Sequence, residues 1–361
     1  MKCSLCFDDV LLVPQYSDIE TRSIVDLSVT GINETFAQLI PSQPHLRCPI
    51  VGSPMDTVMS PAAAAVLDEY GGFGILHRYC TIQESVELYL DSVIKSTSHV
   101  PNVMVAVGAT GDYLERAGAL YSVGCRNFCI DVAHGHHSHV KTALSTLRDK
   151  FGSDIHIMSG NVATIEAFND LADWGANSIR TGIGGGSMCS TRIRTGHGVP
   201  TFQSIIDCAQ SDRNVLLIAD GGIRNSGDIV KSLAAGADMV MLGSLLAGHT
   251  ESPGDTVDKN GHACNEAYSS HTQLFKKFRG MASKEAQINW RGKVSVVEGE
   301  ATMIQFKGSL GNTLTDLIEG IKSGLSYSGA RTIQELQTKA KFVEVTSQGV
   351  RENSPHGVAG F

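Results

Sequence analysis

Cys189 sits at the tip of Gly182-Ile183-Gly184-Gly185-Gly186-Ser187-Met188-Cys189-Ser190-Thr191-Arg192, where glycine fills four of the five positions from 182 to 186. Such a run frees the backbone for positive φ and lets it approach a ligand closely. A cysteine on a loop of this kind is accessible, which a nucleophilic thiol requires and a core thiol does not. Thr191 can lie near the sulfur as a hydroxyl relay, and Arg192 adds positive charge that favours thiolate. Taken alone, the same pattern also fits an incidental loop cysteine, because reactivity is set by surroundings.

Two further glycine clusters could hold an anion. Asp220-Gly221-Gly222-Ile223 and Leu242-Gly243-Ser244-Leu245-Leu246 each follow an apolar run, and paired loops of that kind can present backbone N–H groups to a phosphate. Asp220 beside them is a carboxylate suited to a ribose diol. Either pair of small residues alone could be a tight turn. Asp131-Val132-Ala133-His134-Gly135-His136-His137 invites a metal reading, but adjacent histidines cannot share one helix face as His-x-x-x-His does. Asp131 reads better as a carboxylate set against a cofactor ribose.

These residues need a scaffold that gathers them. Short apolar runs at 49–53, 72–77, 103–107, 127–131, 155–159, 177–181, 215–219 and 239–243 alternate with amphipathic helical patterns at 61–70, 83–95, 112–122, 139–150, 165–174, 202–210 and 226–235. Nearly continuous apolar strands are expected of a parallel sheet covered on both faces. Eight such units predict an α/β fold, a closed (β/α)8 TIM barrel in one domain spanning 1–361, with its chemistry where strands end. The unusual residues fall at those ends. Residues 1–48 precede the first strand and are expected to close the barrel bottom or meet a neighbouring subunit. Residues 250–308, to which no helix or strand is assigned, read as a mobile flap over the barrel mouth, before a last helical pattern at 314–325. A tail covers 341–361.

Bulk properties narrow the function. The net charge of −8 disfavours a nucleic-acid backbone as partner but not a small anion at helix N-termini. Nine cysteines, an odd number scattered through apolar segments, read as reduced thiols. Cys3-x-x-Cys6 lacks the further ligands of a structural zinc site. No run of eighteen apolar residues suggests a membrane span, and the N-terminus lacks signal-peptide features, so a cytoplasmic protein is expected.

The chain resembles the inosine-monophosphate dehydrogenase and guanosine-monophosphate reductase family nearly end to end. The resemblance is carried by Phe7-Asp8-Asp9-Val10-Leu11-Leu12-Val13-Pro14, Met55-Asp56-Thr57-Val58, Gly160-Asn161-Val162-Ala163-Thr164, the cysteine loop and Ala219-Asp220-Gly221-Gly222-Ile223-Arg224. Gly243-Ser244-Leu245-Leu246-Ala247-Gly248, Arg279-Gly280-Met281 and a tail running from Val345-Thr346-Ser347 to Ser354-Pro355-His356 extend it. It implies that Cys189 attacks C2 of a purine 5′-mononucleotide, GMP or IMP, to form a thioimidate. Ser53, Met55, Ser187 and Asp220 would hold base and ribose; Gly222, Gly243 and Ser244 would hold the 5′-phosphate; Gly280 and Met281 would reach the purine edge. Asp131, with Arg78, Gly182 and Gly184, would face a nicotinamide cofactor. The family resemblance also implies a homotetramer and, in some members, a monovalent cation such as K+ at the cysteine loop, here Gly184, Gly186 and Cys189.

The direction of reaction follows from what is missing. Leu76-His77-Arg78 leads almost directly into a helix, with no room for the paired regulatory CBS modules that dehydrogenases usually insert. From Arg279 to Gly308 the flap is short and holds no Arg-Tyr pair, whose arginine helps dehydrogenases activate water. Both features resemble a reductase, which would use Thr191 and Glu298 to manage departing ammonia and take hydride from NADPH. Other features resemble the dehydrogenases, which oxidise IMP to XMP with NAD: the N-terminal motifs, Gly243-Ser244 and the Ser354-Pro355-His356 tail. Arg78 replaces a usual lysine, Phe278 a common tyrosine and Gly185 a common proline, while Val107 and Ala109 stand where reductases carry hydroxyls. A third reading is a nucleotide-binding barrel without catalysis.

Overall fold

The computed structural model describes residues 3–29, 46–98, 102–266 and 272–353. After a short strand β1 (Val10–Leu12), the eight apolar runs become β2 (Ile50–Gly52), β3 (Phe73–Leu76), β4 (Val103–Val107), β5 (Asn127–Asp131), β6 (His156–Val162), β7 (Ser178–Thr181), β8 (Leu216–Asp220) and β9 (Met239–Leu242). Each pairs in parallel with its neighbours, and β2 pairs with both β3 and β9, closing a barrel. Every residue of β3, β4, β7 and β9 is buried, which is why β3, β4 and β9 are apolar without alternation, while β7 buries the polar side chains of Ser178, Arg180 and Thr181. The eight-stranded parallel barrel expected from the alternation is therefore present. Its β6 runs past the expected end at 159, through Gly160 and Asn161, because the backbone continues to pair with β7 across a register shift between Gly160 and Val162.

Several helices begin where side chains can satisfy free N–H groups. Ser60 caps Pro61–Glu69 through Ala63 N–H, with proline at the first turn, and Thr81 and Glu84 form a reciprocal capping box at Ile82–Lys95. Thr164 and Asn225 cap Ile165–Asp173 and Ser226–Ala234. The last helical pattern is longer than expected, Leu310–Tyr327, and packs Leu314, Leu317, Ile321 and Leu325 inward. No helix among the described residues is long and apolar enough to cross a membrane.

The N-terminal segment does two things. Val25, Leu27 and Val29 are buried, and Val29 bridges Leu46 just ahead of β2, at the barrel bottom. Its earlier part runs to the opposite end. β1 pairs antiparallel with β12 (Phe342–Glu344), Asp8 pairs with Arg224 beyond β8, and Phe7 packs edge-on against Phe202 at 5.7 Å. Residues 30–45 of this extension, 267–271 of the flap and 354–361 of the tail, including Ser354-Pro355-His356, lie outside the described residues.

The long excursion after β9 carries its own elements: β10 (Phe275–Arg279), a helix at Lys284–Arg291 and β11 (Ala301–Gln305), with Phe275 opposite Gln305 and Arg279 opposite Ala301. The lysines of Phe275–Arg279 and the exposure of Ala301–Gln305 hide both strands from an apolar-pattern reading. Arg279 fixes the base of this flap to the first strand-end loop, its Nε and Nη2 reaching the two carboxylate oxygens of Asp56 at 3.2 and 2.5 Å. Lys276, almost fully buried, donates to the carbonyls of His249 and Ser252, both at 2.9 Å.

Candidate active site

The strand ends open into one cleft with two lobes, of about 410 and 320 Å³, which meet at Cys189. Ser53, Met55, Gly186, Thr191, Asp220 and Met281 border both lobes with it. Ser187, Gly222, Gly243, Ser244, Gly280 and Glu298 border the smaller lobe, while Arg78, Asp131, Gly182 and Gly184 border the larger. Residues drawn from all along the sequence thus converge on one exposed thiol.

The thiol is wired to a carboxylate. Cys189 Sγ lies 3.1 Å from Thr191 Oγ1, which lies 2.7 Å from Glu298 Oε2. Glu298 arrives from the flap, whose backbone zips onto the cysteine loop: Ser190 N–H donates to Glu298 O at 2.9 Å and Glu300 N–H to Met188 O at 2.9 Å. Gly280 N–H in turn donates to Glu300 O at 2.9 Å, so the flap base, flap return and cysteine loop form one backbone-bonded unit. A proton can move between sulfur and carboxylate through the hydroxyl without passing through bulk water.

Bordering the same lobe is a charge cluster around a buried arginine, Arg180, that the sequence reading missed. Arg180, 2% exposed, projects from β7, and its Nη2 donates to Asp131 Oδ1 at 2.7 Å while Nη1 lies 3.9 Å from Asp220 Oδ2. Asn161 Nδ2 donates to Asp220 Oδ2 and to Gly182 O, both at 2.8 Å. Burial opposes the charge of Arg180, but the carboxylates of Asp131 and Asp220 beside it outweigh that penalty and hold it protonated. Burial likewise pushes the Asp220 carboxyl above its ordinary range, against the pull of Arg180 and the Asn161 hydrogen bond. The signal was available: an arginine inside a fully buried strand must meet a counter-charge.

Two glycines are explained by what surrounds them. A Cβ on Gly182, which has φ +142°, would lie 2.0 Å from the carbonyl oxygen of Asp220. One on Gly184, at φ +79°, would strike the Arg192 side chain at 2.6 Å. Arg192 itself donates to Val199 O at 2.8 Å, and at the limit of range to Ile183 O. Its guanidinium therefore ties the two ends of the loop together, a different task from the thiolate support expected of it.

The larger lobe suits an extended aromatic and anionic ligand. Tyr79 and Trp290 meet edge-on at 6.0 Å, Arg78 lies 4.9 Å over the Tyr79 ring, and Arg291 joins them on the wall. This wall fits a nicotinamide dinucleotide, whose ring stacks and whose phosphates need cations. Trp290 and Arg291 come from the flap helix and were not singled out in the sequence. Asp131 borders the same lobe, with one oxygen committed to Arg180. No group of three or more histidine, cysteine or acidic side chains among the described residues could hold a metal. His137 instead caps helix Ser138–Phe151 through His139 N–H, and His136 pairs with Asp170 at 2.8 Å. Of the loop carbonyls a monovalent cation could use, that of Gly186 already accepts Cys189 N–H at 3.0 Å, leaving one lone pair.

Residues 4–356 match the family described as "IMP dehydrogenase / GMP reductase domain". Inosine-5′-monophosphate dehydrogenase of Nitrosopumilus maritimus is 31% identical over 99% of this chain and 99% of its own length. That alignment spans 493 positions, far more than the 361 residues here, so a long segment of the relative has no counterpart. Other inosine-5′-monophosphate dehydrogenases are matched over about half their length, 52%. GMP reductase 1 of Homo sapiens is 34% identical over 95% of this chain and 96% of its own. Among solved structures, a cysteine-to-alanine variant of GMP reductase from Trypanosoma brucei, in complex with guanosine 5′-monophosphate, superimposes with a TM-score of 0.87, at 27% identity and 99% coverage of both chains.

Proposed function

We infer the reaction from a plain premise: the chain belongs to the IMP dehydrogenase / GMP reductase family, and so is an NAD(P)-dependent oxidoreductase of purine mononucleotides. Its direction, on our reading, is reductive: GMP and NADPH are converted to IMP, NADP and ammonia. The observation that carries this reading is the short flap, which holds no Arg-Tyr pair between Arg279 and Gly308; the path from Cys189 Sγ through Thr191 to Glu298 supplies the chemistry but is common to both directions.

The proton and electron accounts close with these residues. The thiol proton passes through Thr191 to Glu298, and the sulfur electron pair forms a bond to C2. The same proton returns to the exocyclic amine, which leaves as ammonia with the electron pair of its C2–N bond. Arg78, Tyr79 and Trp290 along the larger lobe would hold a reduced nicotinamide cofactor, which would supply the hydride for C2. The S–C2 pair then returns to sulfur, which regains a proton from solvent, and IMP is free. Asp220 would take the ribose, Ser53, Met55, Ser187, Gly280 and Met281 the base, and Gly222, Gly243 and Ser244 the 5′-phosphate. Asp131, Arg78, Gly182 and Gly184 would form the cofactor side. A K+ ion, where used, would take the carbonyls of Gly184, Gly186 and Cys189.

One observation favours the oxidative alternative, IMP to XMP with NAD and water: the flap helix brings a guanidinium, that of Arg291, to the larger lobe that Cys189 also borders. Two mixtures separate the readings. Loss of reduced-cofactor absorbance with GMP and NADPH supports the reductase; its appearance with IMP and NAD overturns it.

A further inference from the structure

Lys307 closes the flap but borders neither lobe of the cleft. Its ammonium donates to the carbonyl of Ser244 at 2.7 Å and also reaches that of Leu245 at 3.3 Å. Its backbone is committed to the same stretch: Lys307 N–H donates to Gly248 O, and Thr250 N–H to Gly308 O, both at 2.9 Å. The loop following β9 is thus pinned by the flap return along its length, with a cation under the two carbonyls at its start. The Lys307 side chain keeps contact with solvent, so its hold on the turn lies in the geometry of these two hydrogen bonds, its ammonium being only partly shielded and pushed below its usual range.

A peptide whose carbonyl accepts from an ammonium presents a more strongly polarised N–H on its other side. The peptide capped at Ser244 O carries the N–H of Leu245, in the turn that borders the smaller lobe through Gly243 and Ser244. We propose that Lys307 is a positioning residue for this turn: by capping Ser244 and Leu245 it holds the turn in the shape that receives the 5′-phosphate, and ties that shape to the flap. The proposal rests on the reading that this turn takes the phosphate. It is independent of which way hydride moves.

The test compares binding of GMP with binding of guanosine, by calorimetry, in the full-length protein. Loss of a charge-assisted contact predicts that Lys307→Met weakens GMP by about tenfold or more. Guanosine affinity stays within about threefold, on the order of ordinary mutational scatter. Lys307→Arg, which keeps a cation within reach of the carbonyls, restores most of the difference. Lys277→Met, on flap strand β10 and with an exposed ammonium, leaves both affinities unchanged. Should Lys307→Met fail to fold, Lys307→Gln carries the same comparison with the charge removed. Equal weakening of GMP and guanosine makes Lys307 merely structural and overturns the proposal, as does no change in either. If the wild-type protein itself does not prefer GMP to guanosine, the phosphate reading of the turn fails, and the proposal with it.

Discussion

Thr191→Val tests the chemistry at its narrowest point. Valine keeps the shape of threonine and deletes the hydroxyl that stands 3.1 Å from the Cys189 sulfur and 2.7 Å from Glu298. Both separations are within hydrogen-bond reach, so the wild-type relay is already assembled. Without it the leaving amine has no internal proton source, and general acid–base assistance is worth about 10²–10⁴ in rate, or roughly 3–5 kcal/mol of barrier. Glu298 is only half-buried, so its stranded carboxylate finds water and folding is little affected. The expected result is a kcat lower by two to four decades with nucleotide KM nearly unchanged. Rapid-quench single turnover, reading released ammonia, should show the defect before hydride transfer; Glu298→Gln should share it, and Thr191→Ser should largely recover. A Thr191→Val enzyme within about threefold of wild type would refute the relay, that factor being far below the smallest loss expected.

Four further outcomes are expected. Cys189→Ala should lose turnover while binding nucleotide with near wild-type affinity in calorimetry; measurable turnover removes covalent catalysis from the account. Arg180→Met leaves Asp131 and Asp220, half-buried at the cleft, without their cation and should cost about 2–4 kcal/mol in urea unfolding, somewhat less than for a fully buried pair, with a loss below about 1 kcal/mol contradicting the cluster. Gly182→Ala, which drives a methyl into the Asp220 carbonyl at a φ that suits glycine, should destabilise by at least about 2 kcal/mol and distort the cysteine loop. Burial pushes His156 down to about 3, so below pH 6.5 the unfolded chain takes up a proton that the folded one refuses. This contribution is fully present above pH 6.5 and falls by about 2 kcal/mol on going to pH 5. His156→Asn should flatten that part of the stability–pH slope, and an unchanged slope argues against a neutral buried imidazole.

How much was readable in advance divides along physical lines. Strands such as Val103–Val107 and Asn127–Asp131 were found to the residue because parallel strands covered on both sides leave an unbroken apolar run. Cys189, Asp220 and Gly243, which the fold brings to one cleft, stood out because glycine-rich loops at strand ends differ from helices and strands. The flap strands did not, since three of the five residues of Phe275–Arg279 are lysine or arginine, and one of those lysines is buried by carbonyls rather than by apolar groups. Arg180 was passed over because it lies between the β-branched Ile179 and Thr181, and a single charge in so short a strand is easily averaged away. Trp290 and Lys307 have meaning only through partners more than 60 residues distant, Tyr79 and Ser244, which no local pattern reveals.

Arg180 also has a thermodynamic consequence. A single guanidinium answers to Asp131 on one lobe and to Asp220 on the border of both, so neutralising or displacing either carboxylate redistributes the charge felt by the other. Occupants of the two lobes then share a cycle. By whatever factor a nucleotide alters the dissociation constant of the dinucleotide, the dinucleotide must alter that of the nucleotide equally.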